Sequence, residues 1–337
     1  LSSDSHERST YTALGSFGGS IGYNGLTIVV IPIVTYFSWV FTGKYVESQS
    51  GWTCFGIIVG LLGLLTAWTV AFGTKENESA LRSKAQKNGN PIEAFKAIFQ
   101  NDQLLWVALS YLLYAIANVA TTGVLIFLFK FILDNQAAYS LTGVIALVAG
   151  LVMAPLYPIL NKRIPRRYLY IGGMISMIAG YVMLGIFSDN IIMVFVALVL
   201  FYVPGTLIQM TAILSLTDSI EYGQLKNGKR NEAVTLSVRP MLDKIGGAMS
   251  NGAVGAVALA AGMTGHATAA DMTASNIATF KTFAFYVPLV LIILSLVVFW
   301  FKVKIDEKMH AQIVEELEAK LASGEIVDDE AQAVIKN

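Results

Sequence analysis

Between Ser9 and Gly43 the chain carries no Lys, Arg, Asp or Glu, and similar charge-free runs recur at 52–73, 103–129, 135–161, 168–188, 190–217 and 282–301. A further apolar run, about 236–263, has its charges gathered near its start. A helix needs about 20 mostly apolar residues to cross a bilayer. By that measure the chain holds about eight candidate spans. A backbone inside hydrocarbon must satisfy its own hydrogen bonds, and apolar runs of this length do so as helices. The expected fold class is therefore all-α and polytopic.

Composition narrows the function classes. Lys plus Arg equals Asp plus Glu at 23 each, so no basic excess points to nucleic acid. The single cysteine, Cys54, lies in the apolar stretch GWTCFGIIVG and reads as a packed thiol; no Cys/His grouping has metal-ligand spacing. His6, His266 and His310 all fall outside the candidate spans, which leaves no convergent acid, base or nucleophile set for a membrane-embedded enzyme. The chain opens on Leu1 with the polar run LSSDSHERST and no basic leader region, and it reads as part of something longer.

Positive charge sets the expected orientation. Arg8, the 74–102 loop, NKRIPRR at 161–167, KNGKR at 226–230, and Lys302 with Lys304 alternate with loops near Lys44, Lys130, Ser188 and His266 that are poor in cations. The N-terminus of the chain, the 74–102 loop and the C-terminal tail are accordingly expected in the cytoplasm of a multi-pass cell-membrane protein. Four segments result: 1–73 with two spans, 74–102 as a central cytoplasmic loop, 103–303 as a six-helix bundle, and 304–337 as an amphipathic tail. Six helices behind a long cytoplasmic loop suit one half of a twelve-helix transporter built from two repeats. In the tail, Ile313, Val314, Leu317 and Leu321 fall at helical spacing up to Gly324. The tail reads as a solvated helix docked on the cytoplasmic face, and it is also where cytoplasmic regulatory proteins would make contact.

Most of the informative charge sits in TDSIEYGQLKNGKRNEAVTLSVRPMLDKIGG, residues 217–247. Ionisable groups at membrane depth are costly and tend to be functional. Counted from Ala233, Lys244 is about halfway through a hydrocarbon core roughly 30 Å thick. Arg239 and Asp243, four apart, can pair along one helix face, whereas Lys244 is turned about 100° from Asp243 and keeps its donors for a ligand's hydroxyl groups. The alternative is an ammonium neutralised by an acid on a neighbouring helix. Downstream, GGAMSNGAVGAVALAAG offers small-residue packing, with Ala248 and Gly252 as an example. Asp218 and Glu221 share a helix face with Tyr222, where ion pairs could close a gate in one state and open in another; a plain solvated loop would also explain them.

The stretch DSIEYGQLKNGKRNE, continued by SVRPMLDKIGGA, resembles the glycoside–pentoside–hexuronide cation symporters of the major facilitator superfamily, closest to their lactose/galactoside and raffinose carriers. The likeness extends over the whole chain: LSSDSHERS resembles the cytoplasmic loop before that family's fifth helix, and NKRIPRR the loop between its eighth and ninth. It implies the superfamily fold without its first four helices, and uptake of a galactoside-type sugar coupled to H⁺ or Na⁺, or sugar exchange, by alternating access. It implies no bound cofactor, a coupling-ion site on the four helices absent from this chain, and a bacterial source.

By the same resemblance Lys244 occupies the sugar-site lysine of the eleventh helix. Glu232 matches a loop acid tied to proton coupling, and Lys229 stands where some lactose carriers have histidine. Where melibiose carriers have a sugar-binding arginine this chain has Ser16, so Tyr23 and Asn24 are the candidate substitutes, a polar pair that also reads as interhelical glue. Gln209, Tyr111, Tyr114 and Asn118 are polar enough to line the remaining wall, while Asp218, Glu221, Lys229, Glu232, Arg239 and Asp243 form the expected coupling and gating set. The competing expectation is a non-transporting membrane sensor or scaffold that retains the fold.

Overall fold

The structure, a computed structural model, describes residues 5–73, 99–227, 232–265 and 267–322. Among these, ten α-helices follow one another: α1 (Ser5–Thr42), α2 (Gln49–Gly73), α3 (Asp102–Phe127), α4 (Ser140–Asn161), α5 (Arg166–Ile186), α6 (Ile191–Asn227), α7 (Glu232–Ala260), α8 (Ala274–Lys281), α9 (Val287–Lys302) and α10 (Glu307–Ala322). A π turn, Leu128–Ile132, extends α3, another, Thr282–Tyr286, joins α8 to α9, and a 3₁₀ turn, Gln136–Tyr139, leads into α4. The eight apolar runs read from the sequence are helical, as α1 to α7 and the α8–α9 rod. Seven are long and apolar enough to cross a membrane. The eighth, α7, has the length at 29 residues but carries Arg239, Asp243 and Lys244 inside it.

The chain divides into two compact units, residues 1–89 with 135–150, and residues 90–134 with 151–337. This differs from the sequence boundaries, which place 135–150 with the six-helix bundle. The reason is local: Gln136 donates to Glu47 Oε2 at 2.6 Å, and Glu47 also accepts from the Trp52 indole at 3.2 Å, so the 3₁₀ turn is tied to the α1–α2 connection. In this first unit α1 packs on α2 where Gly51 meets Ser38; a Cβ at Gly51 would lie 2.2 Å from the Ser38 hydroxyl. Gly43, at φ +70°, ends α1 in the left-handed conformation that glycine adopts freely. Trp39 stacks on Tyr45 with centroids 5.2 Å apart, and Tyr36 and Trp52 lie nearby in sequence, the aromatic grouping expected at a membrane–water boundary.

In the second unit α5 packs along α6, α3 along α7 and α9, and α10 against α6. Hydrogen bonds tie three spans together in place of charge. The Ser110 hydroxyl bonds that of Tyr170 at 2.9 Å and donates to the Ser295 carbonyl at 3.0 Å; the Thr121 hydroxyl bonds that of Tyr181 at 2.9 Å. With no hydrophobic effect between helices in lipid, packing and such bonds carry the association. The α3–α7 seam corrects the expected small-residue pair. Ala248 and Gly252 are exposed, and Gly246 and Ser250 face α3 instead. A Cβ on Gly246 would stand 3.2 Å from that of Ala115, Ser250 Oγ donates to the Ile116 carbonyl at 3.0 Å, and Gly123 receives Val254.

At 37 residues, α6 is about 55 Å long against a hydrocarbon core of roughly 30 Å. Its first part is the charge-free run, so its C-terminal turns, from Asp218 onward, stand beyond the hydrocarbon. The tail helix α10 docks there, burying Ile313 and Leu317.

Candidate functional site

Two polar groupings lie in the second unit, one within the spans and one at their ends. Within the spans, α7 brings Arg239 and Asp243 beside the α3 face that carries Tyr111, with Lys244 following Asp243 in the chain. Asp243 is held from two directions: the Tyr111 hydroxyl donates to its Oδ1 at 2.7 Å, and Arg239 Nε lies 3.9 Å from its Oδ2, the spacing expected for residues one turn apart. Lys244, near the middle of α7, is exposed and has no carboxylate partner among the described residues. One turn of geometry accounts for the contrast. Consecutive helical residues diverge by about 100°, so the face that gives Asp243 to α3 directs Lys244 away from it. The ammonium keeps three donors available near the middle of a helix of membrane length.

The other expected lining residues are distributed unevenly. Asn118 is half-buried on α3 and Gln209 half-buried on α6, beside the Tyr114 hydroxyl. Tyr114 is placed differently from expectation. It is 1% exposed, with its hydroxyl 3.4 Å from the Gly205 carbonyl, and it packs between α3 and α6 instead of lining a wall. Tyr111 is also buried as a ring, but its hydroxyl is the donor to Asp243. Tyr23 and Asn24 lie on α1 and Glu232 begins α7, but the side chains of all three are outside the described set, as is Lys229 altogether.

The second grouping sits where α3 and α5 begin and α6 ends. Asp218, 6% exposed, forms an ion pair with Arg166 at the first position of α5. Arg166 also donates its backbone N–H to Glu307 at 2.7 Å, its Nε lying 3.9 Å from the same carboxylate. His310 of α10 places Nε2 3.7 Å from Asp218 and 3.6 Å from Glu221. Thus Asp218 and Glu221 share a face, as expected, and that face is occupied by α10. Tyr222 turns to a different neighbour. Its hydroxyl donates to Asp102 Oδ1 at 2.9 Å, and Lys226 pairs with the same carboxylate. Beside it, a Cβ at Gly223 would come within 2.6 Å of Asn101 Nδ2, which donates to the Ser219 carbonyl while Asn101 Oδ1 caps α3 at the Leu104 N–H. The acid-x-x-acid-Tyr-Gly run is therefore a docking surface with two sides: its acids face α10 and Arg166, and its Tyr-Gly receives the start of α3.

Sequence reasoning missed Arg166, His310, Glu307 and Asp102. Arg166 counts there only as one of several loop cations, and His310 is set aside as lying outside the spans. The usable signal was the spacing of His310 with Ile313 and Leu317, which puts the imidazole on the docked stripe of the tail.

A profile described as MFS/sugar transport protein matches residues 1–307. Over 324 residues the chain is 53% identical to a lactose permease of Leuconostoc lactis, covering 96% of this chain and 50% of that protein. It is 49% identical to a lactose permease of Lactobacillus helveticus, covering 97% and 51%, and 36% identical to a raffinose carrier protein of Pediococcus pentosaceus, covering 94% and 49%. The chain spans about half the length of these curated relatives.

Proposed function

The chain belongs to the MFS/sugar transport protein family, a family of membrane carriers and not of enzymes, and from that premise we propose that it serves the secondary transport of a galactoside-type sugar of the lactose, melibiose or raffinose class. Transport proceeds by alternating access, coupled to H⁺ or Na⁺ symport or to exchange of one sugar for another. Lys244 binds sugar hydroxyls, and Asn118 and Gln209 contribute to the same wall; Tyr23 and Asn24 are proposed as sugar contacts on the strength of the family resemblance alone. Asp243, oriented by Tyr111 and Arg239, sets the electrostatics beside Lys244. Asp218, ion-paired with Arg166, and Glu221, beside His310, form a polar cluster whose breakage accompanies the change of access; Lys229 and Glu232 act in coupling.

The observation that carries this reading is the Lys244 ammonium: exposed near the middle of a membrane-length helix, with no carboxylate partner among the described residues. A charge in such a position is retained where it meets water or a ligand. Three of the relatives are named for the sugars they carry, which fits donors arranged for hydroxyl groups. Uptake of radiolabelled galactoside into vesicles holding the full-length parent tests it. Gradient-driven or sugar-exchange accumulation is expected, and its absence in correctly inserted protein favours the sensor or scaffold reading instead.

A further inference from the structure

We propose that the cleft at the junction of α4, α5, α9 and α10 is a binding site for the phosphate headgroup of an anionic glycerophospholipid. The cleft has a volume of about 570 Å³ and is bounded by Lys162, Arg163, Arg167, Tyr168, Trp300 and Lys308, with Asp306 and Glu307 on one side.

Four cations, Lys162, Arg163, Arg167 and Lys308, face two carboxylates, so the lining is net positive. Both carboxylates are engaged elsewhere: Asp306 Oδ1 caps α10 by accepting the Met309 N–H at 2.8 Å, and Glu307 Oε1 accepts the Arg166 N–H. Arg167 spends part of its guanidinium on the Trp300 carbonyl at 2.7 Å, and both residues line the cleft. Lys162, Arg163 and Lys308 are exposed and have no carboxylate partner among the described residues. Three uncommitted cations therefore converge on one concavity, beside the positive end of α5, whose first residues are Arg166 and Arg167.

Position in the membrane selects the source of the anion. The cleft forms where α4 ends at Asn161, α5 begins at Arg166 and α9 ends at Lys302, so three spans leave the hydrocarbon together here. Exposed Ile159, Ile164, Tyr168, Trp300 and Phe301 flank it, an apolar and aromatic rim at the depth where acyl chains meet headgroups. A soluble phosphate would need only the cations. A lipid uses both the cations and the rim, its phosphate in the cleft and its chains along α4 and α9. Basic pockets between spans at the cytoplasmic surface are suited to such headgroups. The site stands apart from Lys244 and does not depend on which sugar is carried.

The test uses the whole chain, purified from membranes in detergent, with native mass spectrometry of added phosphatidylglycerol and phosphatidylcholine. Phosphatidylglycerol is expected to be retained in preference. Since each cation near an anionic surface contributes roughly a fivefold factor, the combined K162Q/R163Q/K308Q variant should lose between about fivefold and about a hundredfold of that preference, and K44Q/K281Q should lose none. Location is read separately, without altering the cleft cations, in a chain that retains Trp300 after Trp39, Trp52, Trp68 and Trp106 are replaced by Phe. Brominated phosphatidylglycerol should quench this tryptophan more than brominated phosphatidylcholine does. Equal retention of the two lipids, a preference untouched by the triple substitution, equal quenching, or displacement of the lipid by millimolar inorganic phosphate would each overturn the proposal.

Discussion

Asp243 and Lys244 are neighbours in sequence with opposite circumstances: the first is held by Tyr111 and Arg239, the second is exposed with no acid beside it. If Lys244 binds sugar, Lys244→Ala removes charge-assisted hydrogen bonds worth about 1.5–3 kcal/mol, a loss of roughly ten- to a hundredfold in affinity. Equilibrium sugar binding checks this, and unchanged affinity dismisses the assigned role. Lys244→Arg should restore only part, because a planar fork does not present its donors as an ammonium does. At the other grouping, Arg166→Ala leaves Asp218 buried without its main partner. Breaking a buried pair costs about 3–5 kcal/mol, whereas replacing both members by apolar residues is often neutral. Thermal unfolding in detergent should therefore show a large drop for Arg166→Ala and recovery in the R166M/D218L pair; equal losses would mean the site requires charge as such. The sequence marks the acid and hides its partner, since spacing along one helix says nothing about which loop folds against it.

At the scale of elements, the small-residue face of α7 was legible but its register was not. Gly246, Ala248, Ser250 and Gly252 are all small, so composition permits several seams, and the position of Ala115 and Ile116 on α3 selects Gly246 and Ser250. Gly246→Leu forces bulk into a packed seam and should destabilise by about 1–3 kcal/mol. Gly252→Leu, with nothing within 4 Å of its Cβ direction, should be close to silent. A fluorescence-detected thermal comparison of the two distinguishes this seam from the alternative one. The tail helix rests on two buried apolar side chains, Ile313 and Leu317, backed by His310 and Glu307. The I313D/L317D variant would bury charge without partners, so α10 should undock while the spans stay folded. Protease access to residues 307–322 in membranes is the readout. Continued protection would show that the polar contacts alone hold it.

Across the whole molecule the spans were legible for a simple reason: a lipid solvent makes apolar length a direct constraint, and all eight runs recur as helices, seven by apolarity and α7 despite its charges. The matching family profile over residues 1–307 agrees with that reading. What the sequence could not give was the grouping of 135–150 with the first unit, where Gln136 meets the loop acid Glu47 and the 3₁₀ turn packs on α1. Orientation rests on loop charge alone, and it is open to direct measurement. The one cysteine can be replaced by Cys54→Ser, and single cysteines can then be introduced at Lys44, Asp189, Lys162 or Lys304, all exposed. The positive-inside distribution places the first two outside the cell and the last two in the cytoplasm. An impermeant maleimide added to intact cells should then label the cysteines at 44 and 189, and reach those at 162 and 304 only after permeabilisation. The reverse pattern would invert the molecule while keeping its spans; labelling of all four from one side would break the alternation of loops, and with it the placing of the Arg166–Asp218–His310 cluster at the cytoplasmic end.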